Sequence, residues 1–174
     1  SFHGRTLGAL AATDRVDYQD PFRPLAGGFD IVPWNSDEAL AEITADTAAV
    51  ILEPIQGEMG VREADPAWVA RVRERCDEVG ALLVFDEIQC GLGRTGRLWA
   101  HEELGVVPDL LTLAKPLAGG LPIGAVLMTR QVAEALSPGM HGTTFGGGPL
   151  VTRVALRVLD TIADPEFLGR VREL

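Results

Sequence analysis

Two stretches of the sequence decide the fold: Ala81-Leu82-Leu83-Val84-Phe85-Asp86-Glu87 and Asp109-Leu110-Leu111-Thr112-Leu113-Ala114-Lys115. Each is a short, mostly apolar run that ends in a charged side chain. Such runs are typical of strands that are buried on both faces of a parallel sheet. Because ligands of these sheets lie beyond the carboxyl ends of the strands, the sequence predicts that Asp86 and Lys115 face one pocket.

An acidic side chain and a lysine placed in this way suit pyridoxal phosphate (PLP). In such a site the lysine forms a Schiff base with the cofactor, and the acid pairs with the protonated ring nitrogen. A simpler interpretation stays open for each segment. Lys115 could emerge into solvent at the end of its strand, and Asp86 and Glu87 could be loop or helix-capping acids.

The composition narrows the class of protein. Of the 174 residues, 47% are hydrophobic and 23% are charged, as in ordinary globular proteins. The formal net charge of −10 argues against nucleic acid and against an anionic membrane, because both require a basic surface. Cys76 and Cys90 lack metal-ligand spacing and are too few for a disulfide framework. We therefore expect structural thiols and a reducing cytoplasm.

Helical and strand patterns alternate along the chain, which predicts a three-layer α/β/α domain with a mostly parallel sheet. Residues 1–30 show little periodicity and are expected to be loosely structured. Strands are predicted at residues 48–52, 81–85, 109–114 and 123–128, and helices at 37–43, 66–79, 98–104, 130–136 and 149–162, with a last helix opening at Asp164-Pro165.

Other polar residues are predicted near the same sheet edge. Glu53 and Glu58 follow the strand that precedes Asp86, and Gln89 lies three residues beyond Asp86. Three strands that deliver polar side chains to one edge favour a binding site over simple solvation. The glycine-rich loop at residues 141–148 carries hydroxyls and free backbone amides that can hold a phosphate, although a flexible connector has the same composition.

Residues 91–96 match the pattern GxGxxG, but the context argues against a nicotinamide cofactor. A dinucleotide fingerprint leads directly from a strand into a long helix, whereas here an acid pair and Gln89 intervene. The histidines do not have metal-ligand spacing, so no metal site is expected. His101 is expected at the surface of its short helix.

Five blocks of sequence, in order, resemble the class III PLP-dependent aminotransferases, which have fold type I. The similarity runs over essentially the whole chain, and the members that act on N-acetylornithine resemble it most. The blocks are residues 1–8 (SFHGRTLG), 53–58 (EPIQGE), 85–89 (FDEIQ), 91–96 (GLGRTG) and 141–145 (HGTTF).

The resemblance implies a PLP-dependent transaminase that moves the terminal amino group of N-acetylornithine, or of a related omega-amino donor, to 2-oxoglutarate. It also implies a homodimer with shared active sites. Residues 1–174 would then form the PLP-binding large domain, with an N-terminal segment before Ser1 and a small domain after Leu174. The alternative is a non-catalytic or degenerate member of the family that acts as a folded or dimerising module.

The family's roles map onto individual positions of this sequence. Lys115 would bind the cofactor covalently and move a proton on the substrate, and Asp86 would pair with the ring nitrogen. Phe2 would stack on the ring, Gln89 would lie near its hydroxyl, and Thr144 would reach the phosphate in the neighbouring subunit. The implied cofactor-binding residues are Phe2, Asp86, Glu87, Ile88, Gln89, Lys115 and Thr144.

The substrate-binding residues implied by the resemblance are Arg5, Thr143 and Glu58. Arg5 would bind a carboxylate, and Glu58 would neutralise an arginine when ornithine-type substrates enter. The sequence departs from the family's pattern at Pro116, where a small residue other than proline is usual. Because proline restricts the backbone of the residue before it, we expect the placement of Lys115 to be altered. A second departure is Gly148, where asparagine is usual.

Overall fold

The computed structural model describes residues 1–174. Its strands are β1 (Ala49–Leu52), β2 (Ile55–Gln56), β3 (Arg62–Glu63), β4 (Leu82–Asp86), β5 (Leu110–Leu113) and β6 (Ala125–Met128). Its α-helices are α1 (Leu7–Ala11), α2 (Val16–Gln19), α3 (Glu38–Glu42), α4 (Pro66–Val79), α5 (Arg130–Glu134), α6 (Pro149–Ile162) and α7 (Pro165–Glu173). Short 3-10 helices span Asp20–Phe22, Ala100–Leu104 and Lys115–Ala118.

Four of the strands form one sheet in the order β1-β4-β5-β6. The first three are parallel, whereas β6 runs antiparallel to β5. Strands β2 and β3 form a separate antiparallel hairpin. The predicted α/β class with a mostly parallel sheet is therefore confirmed.

The centre of the sheet is the core of the molecule. Leu83 and Phe85 of β4 are 0% exposed, and Leu111 and Leu113 of β5 are 5% and 4% exposed. Parallel sheets are covered on both faces, which favours apolar side chains throughout each strand and explains the continuous apolar runs. Strand β6 lies at the sheet's edge, and its residues 126–128 are exposed.

Helix α4 shows how the local sequence sets its ends. Asp65 accepts a hydrogen bond from the Ala67 N–H at 2.9 Å, and Pro66 fills the first helical position, where no donor is needed. Gly80 ends the helix with φ +80°, a conformation that glycine adopts freely. The apolar face buries Trp68, Val69, Val72 and Cys76.

One prediction about the fold is wrong. Residues 1–30 are not loose, because α1 and α2 lie there and Leu10, Ala11 and Thr13 are buried. Both helices are shorter than two turns, so they leave no periodic signal. The short helix predicted at 98–104 is a 3-10 helix. None of the helices combines the length and apolarity that crossing a lipid bilayer requires.

Candidate active site

The carboxyl ends of β4 and β5 bring the two key side chains to one edge of the sheet. Asp86 is the last residue of β4, and its partner in the parallel ladder is Thr112 of β5. Lys115 follows Thr112 by three residues, immediately beyond the end of β5. Adjacent strands lie about 4.8 Å apart, so the two residues leave the sheet as neighbours at the same edge.

Asp86 is 4% exposed and is held by three donors. Its Oδ1 accepts from the Ile88 N–H at 3.0 Å and from the Thr112 hydroxyl at 3.1 Å. Its Oδ2 lies 2.7 Å from Nδ1 of His3. An ionised carboxylate can only accept hydrogen bonds and offers about four positions for them, so one position stays free for a further donor.

His3 is a site residue that the pattern of the sequence does not reveal. Its ring reaches Asp86 across 83 positions of the chain, and its backbone N–H donates to the Thr13 hydroxyl at 2.8 Å. Because Asp86 can only accept, the Nδ1 proton of the ring is assigned to His3. The motif SFHGRTLG contains this histidine, but its spacing from Asp86 carries no local signal.

The end of β1 contributes Glu53, which is 2% exposed. Its Oε1 accepts from the Phe2 N–H at 2.8 Å, and this bond ties the N-terminal segment to the sheet. Burial raises the pKa of the Glu53 carboxyl, and the bond from Phe2 opposes that rise. Glu53, Asp86 and His3 therefore form one buried polar cluster beneath the edge.

Lys115 is the only lysine among the 15 basic residues of the chain. Its side chain is exposed, and no carboxylate lies within ion-pair distance of its amine. Its φ is +35°, in the left-handed region that side chains rarely adopt, and Pro116 follows it directly. Strained backbone of this kind clusters at active sites.

Glu87 points to a different part of the molecule from Asp86. Its carboxylate accepts from the backbone N–H groups of Ala100 and His101, each at 2.8 Å, and lies 2.7 Å from Nδ1 of His101. These bonds cap the 3-10 helix Ala100–Leu104. The prediction of a surface histidine is wrong, because the His101 side chain is only 14% exposed and packs against Phe85.

Gln89 and Glu58 meet above the edge. The Gln89 amide donates to Oε1 of Glu58 at 3.1 Å. Gly57 makes this approach possible, because a Cβ at that position would lie 2.3 Å from the Gln89 amide oxygen. The two predicted site residues therefore lie close together.

An aromatic cluster forms from the N-terminal segment and α2. The Phe2 and Tyr18 rings are 6.5 Å apart in an edge-to-face arrangement. The Arg5 guanidinium lies 3.7 Å from the centroid of Tyr18 and 5.7 Å from that of Phe2. Phe2 is half-buried and Arg5 is exposed, so the predicted ring-stacking and carboxylate-binding residues are adjacent.

The loop that contains Thr143 and Thr144 is exposed. The Thr143 hydroxyl accepts from the Gly146 N–H at 3.2 Å, a bond within the loop itself. Neither threonine bonds to β4, β5 or the N-terminal segment. The structure therefore does not bring these two threonines together with Asp86 within one chain. Their predicted roles stay predictions.

The chemistry of the donor set fits PLP. A buried carboxylate with one free acceptor position suits a protonated ring nitrogen, and an amine without an acid partner suits a carbonyl group. Two cavities of about 580 and 230 Å³ are lined by neither Asp86 nor Lys115.

Comparison with known proteins points to one family. The model of the family described as aminotransferase class III matches residues 1–174. The chain is 56% identical over 173 residues to the mitochondrial acetylornithine aminotransferase of Alnus glutinosa, which corresponds to 98% of this chain and 38% of that protein. It is 54% identical over 165 residues to the acetylornithine aminotransferase of Methanocaldococcus jannaschii, which corresponds to 94% of this chain and 42% of that protein.

Solved structures give the same result. The N-acetylornithine aminotransferase of Stenotrophomonas maltophilia matches with a TM-score of 0.73 and 47% identity, over 83% of this chain and 37% of that one. The ornithine aminotransferase of Toxoplasma gondii matches with a TM-score of 0.89 and 40% identity, over 96% of this chain and 40% of that one. PLP partially occupies the active site in that structure. The chain thus spans about two fifths of the length of these relatives.

Proposed function

This chain belongs to the class III aminotransferase family, and from that membership we propose that the protein transfers the terminal amino group of N-acetylornithine, or of a related omega-amino donor, to 2-oxoglutarate. The relatives named above support the donor, because two of them are acetylornithine aminotransferases with more than half of their matched residues identical. The non-catalytic alternative is not favoured, since the family match runs through every block that carries site residues.

The observation that carries the proposal is the arrangement at the sheet edge. A buried carboxylate, Asp86, and an unpaired amine, Lys115, follow adjacent parallel strands whose register places Asp86 beside Thr112. Bound at this edge, PLP would supply an electron sink for the negative charge that develops on the substrate carbon. The residues of the chain bind and orient it and move the proton.

Asp86 would hold the proton of the ring nitrogen. Three donors hold its carboxylate in place, and the carboxylate is buried away from water. His3 fixes the orientation of Oδ2, and Ile88 and Thr112 fix that of Oδ1. Glu87 supports the same turn indirectly, because it ties the segment after β4 to the 3-10 helix Ala100–Leu104.

Lys115 would hold the cofactor and then act as the base at its Nζ atom. Both tasks use the lone pair of this amine, whose side chain is exposed at the sheet edge. At its Nζ atom the amine would accept and return the proton that moves during the transfer.

The remaining cofactor contacts follow from the family's pattern. Phe2 would cover one face of the ring, and Glu53 holds its backbone in place through the Phe2 N–H. Gln89 would lie near the ring hydroxyl. Thr144 would bind the phosphate in a neighbouring copy, and its position on an exposed loop supports a homodimer with shared sites.

Recognition of the donor would fall to three residues. Arg5 would bind a carboxylate, and its guanidinium is exposed and free of acid partners. Thr143 would add a hydroxyl. Glu58 would neutralise a positively charged partner, and the Gln89 amide holds it in place. We also propose a location in a reducing compartment such as the cytoplasm, which two buried free thiols support.

The proposal predicts that Lys115→Ala abolishes the activity. The natural full-length protein should form glutamate from 2-oxoglutarate when N-acetylornithine is supplied, and the variant should not, because no other lysine of residues 1–174 can replace the base. PLP should still bind non-covalently to the variant. Glutamate release at the parent rate by Lys115→Ala would contradict the assignment of Lys115. Failure of the parent with every omega-amino donor would contradict the function itself.

A further inference from the structure

Tyr18 has two guanidinium groups close to its ring, although no pattern in the sequence marks it. Arg5 lies 3.7 Å and Arg15 4.2 Å from the centroid of its ring. Both distances are well inside the range of about 6 Å over which a cation is attracted to an aromatic face. The ring also meets Phe2 edge-on.

The two arginines differ in their charge balance. Arg15 binds the Asp17 carboxylate through two hydrogen bonds of 3.1 and 3.0 Å. This pairing raises the pKa of Arg15 and lowers the pKa of Asp17, so both remain charged and neutralise each other. Arg5 has no carboxylate partner. The cluster therefore carries one uncompensated positive charge in a chain whose net charge is −10.

Stacking on Tyr18 also limits the orientation of Arg5. An exposed arginine side chain otherwise samples many rotamers, and binding an anion would have to restrict them. A guanidinium that lies flat on a ring keeps its N–H groups free at the edge, where a carboxylate can accept two of them. Next to Tyr18, the Gln19 amide donates to the Leu10 and Thr13 carbonyls and so ties α2 to α1.

We propose that Tyr18 is a positioning residue for Arg5, and that its ring sets the preference for donors that carry a carboxylate. This inference rests on the proposed function, in which Arg5 binds the carboxylate of the donor. It adds the residue that orients the guanidinium, while the neighbouring pair Arg15–Asp17 contributes no net charge to the cluster.

The test compares two variants in the natural full-length holoenzyme. Tyr18→Phe keeps the ring and should leave the KM for N-acetylornithine within about twofold of the parent. Tyr18→Leu removes the ring and should raise that KM about tenfold, the effect expected from a cation–π contact of ordinary strength. The value of kcat should change little, and so should the absorption spectrum of the bound cofactor.

A donor without a carboxylate, N-acetyl-1,4-diaminobutane, provides the specificity control. Its KM should be the same in the parent and in Tyr18→Leu. If Tyr18→Leu does not fold, as judged by circular dichroism, Tyr18→Met serves as the ring-free variant. Equal losses for both donors, or a loss of cofactor affinity with an unchanged KM, would overturn the proposal, because Tyr18 would then act through Phe2.

Arg5→Ala separates this inference from the proposed function. In the Arg5→Ala background, Tyr18→Leu should have no further effect on the KM for N-acetylornithine, since the residue it orients is gone. If Arg5→Ala raises the KM and Tyr18→Leu does not, the inference fails and the proposed function stands. If Arg5→Ala itself leaves the KM unchanged, the carboxylate-binding role of Arg5 fails, and the role of Tyr18 fails with it.

Discussion

At the scale of single residues, the chain contains one lysine, and that lysine lies at the candidate active site. The other 14 basic residues are arginines, so Lys115 alone provides a primary side-chain amine, the group that can form a Schiff base. Its backbone is left-handed and precedes a proline, so the surrounding turn fixes a conformation that the residue would not adopt alone. The presence of a single lysine in the sequence supports the assignment of Lys115 and Asp86 to one site.

The polar cluster beneath the edge illustrates the limit of sequence reasoning. Asp86 could be predicted because it ends an apolar run, and Lys115 for the same reason. The contact between His3 and Asp86 could not, because it joins residues 83 positions apart and depends on how the N-terminal segment folds back over the sheet. Glu87 shows the converse, since the sequence predicts a role at the cofactor beside Asp86, whereas its carboxylate bonds to the backbone of Ala100 and His101.

The raised pKa of Glu53 predicts a pH dependence of stability. The folded state binds a proton more tightly than the unfolded state, so Glu53 stabilises the fold least when it is ionised. Its contribution should decrease as pH rises from about 4.5, the usual value for this group, through the raised value of the folded state. Glu53→Gln keeps an acceptor for the Phe2 N–H and cannot ionise, so the variant should not lose stability in this way as pH rises.

Urea unfolding at a series of pH values measures the effect. The stability of Glu53→Gln relative to the parent should increase with pH above 4.5 and then become constant. Glu63→Gln, at an exposed position, is the matched control and should show no such trend. If the difference in stability between Glu53→Gln and the parent does not change between pH 4 and pH 8, the raised pKa of Glu53 is contradicted.

At the scale of elements, helices and buried strands could be predicted best. Helix α6 begins at Pro149 and ends at Ile162, as its apolar periodicity predicts, and α4 has the predicted cap at Asp65 and end at Gly80. The hairpin of β2 and β3 could not be predicted, because each strand has two residues and no alternation can be read from so few.

The turn after β4 yields a second prediction. A Cβ at Gly91 would lie 2.6 Å from Oε2 of Glu87 and 2.9 Å from its carbonyl oxygen. Gly91→Ala should therefore lower the free energy of unfolding by about 1–3 kcal/mol, since the Glu87 backbone and its capping carboxylate must both move. Chemical denaturation measures this change.

Gly8→Ala is the control for that measurement. Gly8 lies in α1 with open space around the position of a Cβ, and its φ is not positive. Its substitution should change stability by less than about 0.5 kcal/mol, or raise it slightly through helix propensity. Equal stabilities of Gly91→Ala and Gly8→Ala would show that the contact with Glu87 is not tight.

At the scale of the whole molecule, the two cysteines report on the core. Cys76 is 0% and Cys90 5% exposed. Burial raises the pKa of the Cys76 thiol to about 11 and that of Cys90 to about 12. The thiolate is the reactive form, so at pH 8 both thiols should be nearly inert in the folded protein.

Alkylation with iodoacetamide tests this prediction. Folded protein at pH 8 should remain unlabelled over the time in which urea-unfolded protein gains a label on both Cys76 and Cys90. The labelling rate should follow the unfolded fraction as urea is raised. Rapid labelling of either thiol without denaturant would mean that the part of the core beneath the site opens locally.

The fold class and most of the order of helices and strands could be predicted, because strands that are buried in the sheet consist of apolar runs. The sequence predicts Asp86 and Lys115 as site residues, whereas the contacts that surround them could not be predicted. The contacts of His3, Glu53 and Tyr18 depend on the path of residues 1–19, whose short helices carry no periodic pattern. The pairing of Glu58 with Gln89 depends on the hairpin in the same way.

Reductive trapping tests the central claim most directly. The natural full-length protein is incubated with PLP, reduced with borohydride, digested and mapped by mass spectrometry. The account predicts a reduced PLP adduct on Lys115, and the loss of that adduct in Lys115→Arg. An adduct at any other amine with Lys115 unmodified, or no adduct at all, would contradict the assignment of the sheet edge beside Asp86 as the site of this chemistry.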